Sequence, residues 1–142
     1  MKLISQNIII SLALFLVCNA SFAEGPIDLT EISAKVWDCS SSDQYFTGVI
    51  RFYFKEVNGK KIKGETTWCF PQRGKNSILK GKLKKDTLKF SVSVEGAAAD
   101  CPNISGKMKF TRDTNGKLTA KGGYSSQYQR GKMDCKVSEF QQ

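Results

Sequence analysis

Apolar and polar residues alternate with a period of two along most of the chain, and no other feature constrains the fold as strongly. From Phe46 to Phe54, the residues of one parity are apolar or glycine, and those of the other parity are mostly polar. This period places alternate side chains on opposite faces of a β-strand, one buried and one in solvent. Six further segments share the pattern: 62–70, 79–84, 88–94, 104–111, 118–124 and 132–140. The sequence therefore predicts at least seven strands.

The connectors between these segments fit antiparallel hairpins. Asn58-Gly59 and Asn115-Gly116 supply residues that tolerate the positive φ of tight turns. A two-residue turn at Lys85-Asp86 would leave Leu83 opposite Leu88, and both belong to the buried parity. Residues 31–39 fit either an eighth strand or a short helix, and the sequence leaves both open.

Five glycines fall on the inward parity, one near the middle of each of five strands: Gly48, Gly64, Gly81, Gly106 and Gly122. Glycine allows the sharp coiling of a small barrel, and closure of a meander into a barrel removes its exposed edges. We therefore predict an all-β, up-and-down antiparallel barrel of seven or eight strands, forming a single domain over residues 24–142. An open sheet packed on the N-terminal segment is the alternative. The layout resembles the small barrels of the lipocalin and avidin class in architecture alone, so no functional residue is carried over from either family.

The first 23 residues have the layout of a secretory signal peptide. Lys2 is followed by an apolar run over residues 8–17, and the small residues Ser21 and Ala23 lie at the cleavage positions. The run is too short to span a bilayer, and no later segment is long enough, so no transmembrane segment is expected in the mature chain. The expected location is periplasmic or extracellular, with cleavage after Ala23.

Cleavage after Ala23 would remove Cys18. The alternative is that Cys18 is the lipid-attachment site of a lipoprotein signal. This is disfavoured because the preceding residue, Val17, is not small. Four cysteines would remain: Cys39, Cys69, Cys101 and Cys135. An even number in an exported chain predicts two disulfides. A metal site is not expected, because there is no C-x-x-C pair and no histidine.

Strand directions along the meander predict which cysteines pair. We name the end of the barrel with the tight turns the turn end and the opposite end the mouth end; all four thiols are expected at the mouth end. Cys39 and Cys135 belong to the first and last strands, which are neighbours only in a closed barrel. The predicted disulfides are therefore Cys39–Cys135 and Cys69–Cys101.

The sequence offers little enzymatic chemistry. The absence of histidine excludes Ser-His-Asp and Cys-His catalysis. No two carboxylates pair on a buried face, and no phosphate-binding loop motif is present. We expect a non-enzymatic binding protein without a cofactor.

Positive charge is the strongest departure from an average composition. The chain has 22 Lys and Arg against 13 Asp and Glu, a formal net charge of +9. Many lysines have outward parity, among them Lys61, Lys63, Lys132 and Lys136. The eight that are expected to bind anions, which we name the lysine belt, are Lys80, Lys82, Lys84, Lys89, Lys107, Lys109, Lys117 and Lys121. Since neighbouring strands lie about 4.8 Å apart, the belt is expected to bind anionic polymers or lipid headgroups. The alternative is that these lysines only keep the outer face soluble. Nucleic acid is disfavoured, because the outward positions lack an aromatic platform for base stacking, with Tyr53 as the main outward aromatic residue.

Two other functions stay open. The mouth end could admit a small hydrophobic ligand, with four candidate residues around it: Arg73, Tyr124, Tyr128 and Arg130. The inward aromatic residues would equally serve to fill the core. Alternatively, the loop at residues 71–75 could insert into the cleft of a partner enzyme and inhibit it.

Overall fold

One short helix precedes eight strands in the computed structural model, which describes residues 25–33, 35–44, 46–69 and 77–139. The elements are α1 (Leu29–Ser33), β1 (Val36–Ser42), β2 (Thr47–Asn58), β3 (Lys61–Thr66), β4 (Ser77–Lys84), β5 (Thr87–Val94), β6 (Ile104–Arg112), β7 (Leu118–Ser125) and β8 (Arg130–Val137). The signal peptide and the loop at residues 71–75, both predicted from sequence, lie outside the described residues.

The strands form a closed up-and-down barrel. Each strand pairs antiparallel with its neighbour in sequence, and β1 pairs with β8 to complete the ring. The predicted all-β barrel is therefore confirmed, with eight strands. The sequence left open whether residues 31–39 form a strand or a short helix. They include the end of a helix and the start of a strand, since α1 ends at Ser33 and β1 begins at Val36.

The turns at the turn end have the predicted conformations. Gly59 and Gly116 have positive φ values of 60° and 76°, as hairpin turns require. Lys85 also has a positive φ, of 57°, and the two-residue turn leaves Leu83 paired with Leu88. The predicted register of β4 and β5 is thus confirmed.

Helix α1 lies against the turn end of the barrel. The Asp28 carboxylate accepts a hydrogen bond of 3.1 Å from the Thr30 amide at the start of the helix. Trp37 Nε1 donates a hydrogen bond of 3.0 Å to the carbonyl of Ile32, and Arg112 of β6 donates two, of 2.8 and 2.7 Å, to the carboxylate of Glu31. The hydrogen bond from Arg112 lowers the pKa of Glu31. These contacts fix the helix to β1 and β6.

Large apolar side chains fill the interior, and inward glycines make room for them. Across the sheet, Gly81 pairs with Phe90, Phe90 with Gly106, and Gly106 with Tyr124, so that glycine and aromatic residues alternate. A Cβ atom on Gly106 would lie 2.6 Å from the Phe90 ring and 2.3 Å from the carbonyl oxygen of Gly123. Position 106 must therefore be glycine for β6 to lie this close to β7 and to the Phe90 ring.

Both predicted disulfides are present, but one of them lies where the sequence did not predict it. Cys69–Cys101 joins the connectors at the mouth end, as expected. Cys39–Cys135, in contrast, lies within the strands, because β1 begins at Val36 and Cys39 is its fourth residue. Cys39 is paired directly with Cys135, and both side chains are fully buried. The prediction that all four thiols collect at the mouth end was therefore wrong.

Several strand boundaries also differ from the predicted ones: β2 continues to Asn58, and β4 begins at Ser77. β3 ends at Thr66 instead of continuing to Phe70, although Trp68 still points inward and is buried in the turn after it. β8 spans Arg130–Val137, two residues earlier than predicted at its start, because Arg130 pairs with Ser125. Phe70 and Phe140 lie outside the described residues. No helix among the described residues is long and apolar enough to cross a membrane.

Candidate polyanion-binding surface

The lysine belt lies on the outside of four consecutive strands. Seven of its eight members lie on β4, β5, β6 and β7, and Lys117 lies in the turn before β7. All eight side chains are exposed. The alternation that positions them is visible in the burial of β5, where Leu88, Phe90 and Val92 are buried and Lys89 is exposed between them.

Strand register brings three of these lysines into one line with Lys61, another lysine of outward parity. Lys61 on β3 is paired with Lys82 on β4, Lys82 with Lys89 on β5, and Lys89 with Lys107 on β6. We name these four residues the lysine row. Lys61 has the same outward parity as the belt, and its place opposite Lys82 follows from a register that parity alone does not give.

The rest of the belt is arranged around the row. Lys80 lies two residues before Lys82 on β4 and is paired with Lys63 on one side and Ser91 on the other. Lys109 is paired with Lys121. Lys84 is paired with Thr87, which is itself paired with Lys109. Lys117 is not brought next to the row.

Acidic side chains neutralise several lysines beside the row. Ion pairs join Lys109 to Asp86 (3.6 Å), Lys121 to Asp134 (3.5 Å), Lys63 to Glu56 (3.6 Å) and Lys55 to Glu65 (2.7 Å). In the described part of the chain, none of the four row lysines has a carboxylate within 4 Å. Among the described residues the same holds for Lys80, Lys84 and Lys117 of the belt, so the row is distinguished by the direct pairing of its lysines across four strands.

Asp86, which forms the ion pair with Lys109, is held in its charged form. The Thr87 hydroxyl donates a hydrogen bond of 2.8 Å to Asp86, and this bond is the main cause that lowers the pKa of Asp86, with a further contribution from the charge of Lys109. Because Asp86 is ionised at neutral pH, it compensates Lys109 there. The row lies one outward position away from this ion pair. Lys107 precedes Lys109 by two residues on β6, and Lys89 follows Thr87 by two residues on β5.

The outward positions that flank the row along its strands hold serine, threonine and further lysines. They are Thr87 and Ser91 on β5, Ser105 and Lys109 on β6, and Lys80 and Lys84 on β4. Beyond Lys107 the next paired position is Gly123, which has no side chain. None of these neighbouring positions carries an aromatic ring. Such a surface can attract anions by charge, without stacking.

At the mouth end, Tyr124 is the centre of a buried hydrogen-bond network. Its side chain is 3% exposed, and its hydroxyl donates to the Asp43 carboxylate and lies 2.9 Å from the hydroxyl of Ser41. Burial and the hydrogen bond to Asp43 raise the pKa of Tyr124 to about 12. Sequence reasoning did not identify Ser41 and Asp43 as partners of Tyr124, because more than 80 residues separate them from it and no local pattern connects them.

Aromatic side chains close the mouth end around this network. Trp68 lies with its ring centre 5.2 Å from Tyr124 and 6.3 Å from Phe46. The indole nitrogen of Trp68 donates a hydrogen bond of 2.9 Å to the carbonyl of Pro102, next to the Cys69–Cys101 disulfide. The described part of the mouth end is thus occupied by packed side chains.

The four candidate mouth residues do not come together in the described structure. Tyr124 is buried, whereas Tyr128 and Arg130 are exposed, and Arg73 lies outside the described residues. Tyr128 borders a shallow cleft of about 330 Å³ that also contacts Ala98 and Pro102. This cleft lies on the outside of the loops.

Comparison with known proteins adds one structural neighbour. No protein-family model matches the chain, and no curated protein matches its sequence. A solved structure described as a redesigned beta barrel, mFAP1, bound to DFHBI, is similar to this chain with a TM-score of 0.47 and 13% sequence identity. The match covers 75% of this chain and 95% of the other.

Proposed function

We propose that the protein is an exported, non-enzymatic binding protein whose lysine row holds anionic polymers. The observation that carries this proposal is the direct pairing of Lys61, Lys82, Lys89 and Lys107 across four strands, with no carboxylate of the described residues within 4 Å of them. Two disulfides are compatible with an oxidising location outside the cytoplasm.

The energetic argument rests on repulsion within the row. Like charges directly opposite each other on neighbouring strands destabilise a sheet. Three such pairs follow one another here, since Lys82 and Lys89 each have a lysine on both sides. An anionic polymer would relieve this repulsion by replacing small counterions, and the release of those counterions would contribute to its affinity.

The proposal can be tested with a set of variants that separates the row from net charge. In the row variant, Lys61, Lys82, Lys89 and Lys107 are replaced by Gln. In the control variant, Lys55, Lys63, Lys109 and Lys121, each of which forms an ion pair, are replaced by Gln. Both variants lose four positive charges from exposed positions.

We expect the parent protein to be retained on immobilised heparin at physiological ionic strength and to elute as salt increases. The row variant should elute at much lower salt than the control variant, with unchanged far-ultraviolet circular dichroism. For four contacts, the logarithm of the binding constant should fall against the logarithm of salt concentration with a slope of roughly −3. Equal retention of the two variants, or no retention of the parent, would contradict the proposal.

A further inference from the structure

Two hairpin turns at the turn end contain the same dipeptide, Asn58-Gly59 and Asn115-Gly116. In both, the asparagine and the glycine are exposed and the glycine has a positive φ. Asparagine followed by glycine is prone to spontaneous deamidation, because glycine has no side chain to keep its backbone nitrogen away from the preceding side-chain amide. Since the two turns are alike in sequence and exposure, their hydrogen bonds decide which asparagine reacts.

The reaction needs no partner other than water. The backbone nitrogen of the glycine attacks Cγ of the asparagine and loses its proton to solvent, and the side-chain nitrogen leaves as ammonia. Water then opens the resulting succinimide ring at either carbonyl, which gives aspartate or isoaspartate. The glycine nitrogen must therefore be free to lose its proton and to approach the side chain.

The turn at Asn115-Gly116 is held in place by Asp113. The Gly116 amide donates a hydrogen bond of 2.9 Å to the Asp113 carbonyl. The Asp113 carboxylate accepts two more, both of 2.9 Å, from the amides of Asn115 and Lys117. The attacking nitrogen is thus occupied as a donor, and the backbone on both sides of it is fixed. Ring closure at Asn115 would have to break these bonds.

The turn at Asn58-Gly59 has no such constraint. Within the part of the chain that the structure describes, neither the Gly59 amide nor the Asn58 side chain forms a hydrogen bond. The backbone is held on either side, by the pairing of Asn58 with Lys61 and by a hydrogen bond of 2.8 Å from the Leu83 amide to the Lys60 carbonyl. Fraying of the last pair of the β2–β3 hairpin is enough to let the Gly59 nitrogen reach Asn58, and such ends of strands open at low cost.

Deamidation at this position would change the charge of the lysine row. Asn58 is paired directly with Lys61, the first residue of the row, and both side chains are exposed. Directly opposed residues have Cβ atoms about 4.5–5.5 Å apart. A carboxylate at position 58 would therefore lie beside an ammonium group that has no carboxylate of the described residues within 4 Å. Asn115 is paired with no residue of the row.

From these observations we infer that Asn58 is a spontaneous deamidation site, and that its conversion to a carboxylate weakens the binding of anionic polymers by the lysine row. The effect on binding rests on the proposed function, whereas the site of modification does not. The protein would lose affinity with age after synthesis, since no enzyme restores the amide in this reaction.

The first experiment measures the order of modification. The folded parent protein is kept at mildly alkaline pH, and peptide mapping by mass spectrometry follows deamidation at each asparagine over time. We expect Asn58 to react faster than Asn115 by roughly fivefold or more, because hydrogen bonds must break only in the second turn. In concentrated urea the two rates should become similar, which shows that the folded structure causes the difference. A rate at Asn115 equal to or higher than that at Asn58 in the folded protein would overturn the inference.

The second experiment measures the effect on binding with two variants of equal charge. Asn58→Asp reproduces one product of the reaction, and Asn115→Asp adds the same charge to the other turn. We expect Asn58→Asp to bind heparin about threefold to tenfold more weakly than Asn115→Asp at low salt, with a salt dependence less steep by about 0.7–0.9 in the logarithmic slope. Asn58→Gln, whose longer side chain cannot form the five-membered ring, should keep its retention on heparin through the incubation that weakens the parent.

The outcomes separate the inference from the proposed function. If heparin retains the parent but both Asp variants elute with it, deamidation does not regulate the row and the inference is wrong. If heparin does not retain the parent at all, the proposed function and the regulation fail together, and the order of deamidation still decides the site of modification.

Discussion

At the scale of single residues, the hydroxyl of Tyr124 connects elements that are far apart in sequence. It joins β7 to the end of β1 through Ser41 and to the connector after β1 through Asp43. All three side chains belong to the mouth end, where the ring of Tyr124 also lies over Gly131: a Cβ atom there would lie 2.3 Å from the ring. The network therefore depends on a glycine in the neighbouring strand as well as on its polar groups.

We expect the Tyr124 network to make stability fall at alkaline pH. The pKa of Tyr124 is raised to about 12 in the folded protein, against about 10 in an unfolded chain, so the unfolded state loses its proton first. Below about pH 10 the neutral hydroxyl contributes its full stabilisation. As pH rises from about 10 to about 12, the free energy of unfolding should fall by about 2 kcal/mol. Urea denaturation of the parent and Tyr124→Phe at several pH values between about 8 and 12 measures this. The difference in unfolding free energy between the two should shrink as pH rises; a constant difference would contradict the assignment.

A second prediction at this scale concerns Gly122. A Cβ atom on Gly122 would lie 1.9 Å from the carbonyl oxygen of Lys107, which is backbone and cannot rotate away. Gly122→Ala should therefore destabilise the barrel by about 1–3 kcal/mol, because β6 and β7 must separate. Gly25→Ala is the matched control, since nothing lies within 4 Å of its added carbon. Thermal unfolding of both variants checks this, and equal midpoints would show that the strands accommodate the methyl group.

At the scale of strands, direct pairing of lysines places repulsion within the lysine row. Lys89 lies between Lys82 and Lys107, so it takes part in two like-charge pairs. Lys121 has one lysine opposite it, Lys109, but it also forms an ion pair with Asp134. Both lysines are exposed, and they differ in how far the repulsion from their neighbours is compensated.

Replacement of Lys89 by Gln should therefore stabilise the protein by about 0.5 kcal/mol at low salt, because each like-charge pair costs a few tenths of a kcal/mol. Lys121→Gln should be neutral or slightly destabilising. The difference between the variants should disappear as salt screens the charges. Chemical denaturation at about 10 mM and about 500 mM salt measures both effects. A Lys89→Gln variant less stable than the parent at low salt would mean that the row is not under repulsive strain.

The same elements indicate what could be predicted from sequence. The period of two and the turn residues were sufficient for the strands, for the Leu83–Leu88 register and for the outward direction of the lysines. The position of the Cys39–Cys135 bridge was not predictable, because it depends on where α1 ends and β1 begins. The row required the register between β3 and β4, whose connector carries no turn signal comparable to Asn58-Gly59. Partners such as Asp43 and Tyr124 meet only when the barrel closes.

At the scale of the whole molecule, the two disulfides constrain the chain to different degrees. Cys39–Cys135 closes a loop with a sequence separation of 96, against 32 for Cys69–Cys101. In the chain-entropy model these loops correspond to about 4–5 and about 3–4 kcal/mol of stabilisation. They also differ in accessibility, since Cys39 and Cys135 are both fully buried and Cys69 is half-buried.

We expect a reductant to open Cys69–Cys101 first in the folded protein, and Cys39–Cys135 only after global unfolding. Timed reduction followed by alkylation and peptide mapping gives the order. Paired Cys→Ala variants test the energies: removal of Cys39 and Cys135 should lower the unfolding free energy more than removal of Cys69 and Cys101. Earlier alkylation of Cys39 than of Cys69 would contradict the expected order.

The bridge between the first and last strands also determines how the protein responds to a break in its backbone. Any single peptide bond cut between residues 39 and 135 opens a covalent ring without releasing a fragment, because both pieces stay joined through Cys39 and Cys135. Cleavage in the exposed turn between β6 and β7, for example, would leave β7 and β8 linked to β1 inside the core. A protein outside the cell that meets proteases could thus be nicked and still keep its lysine row on one molecule.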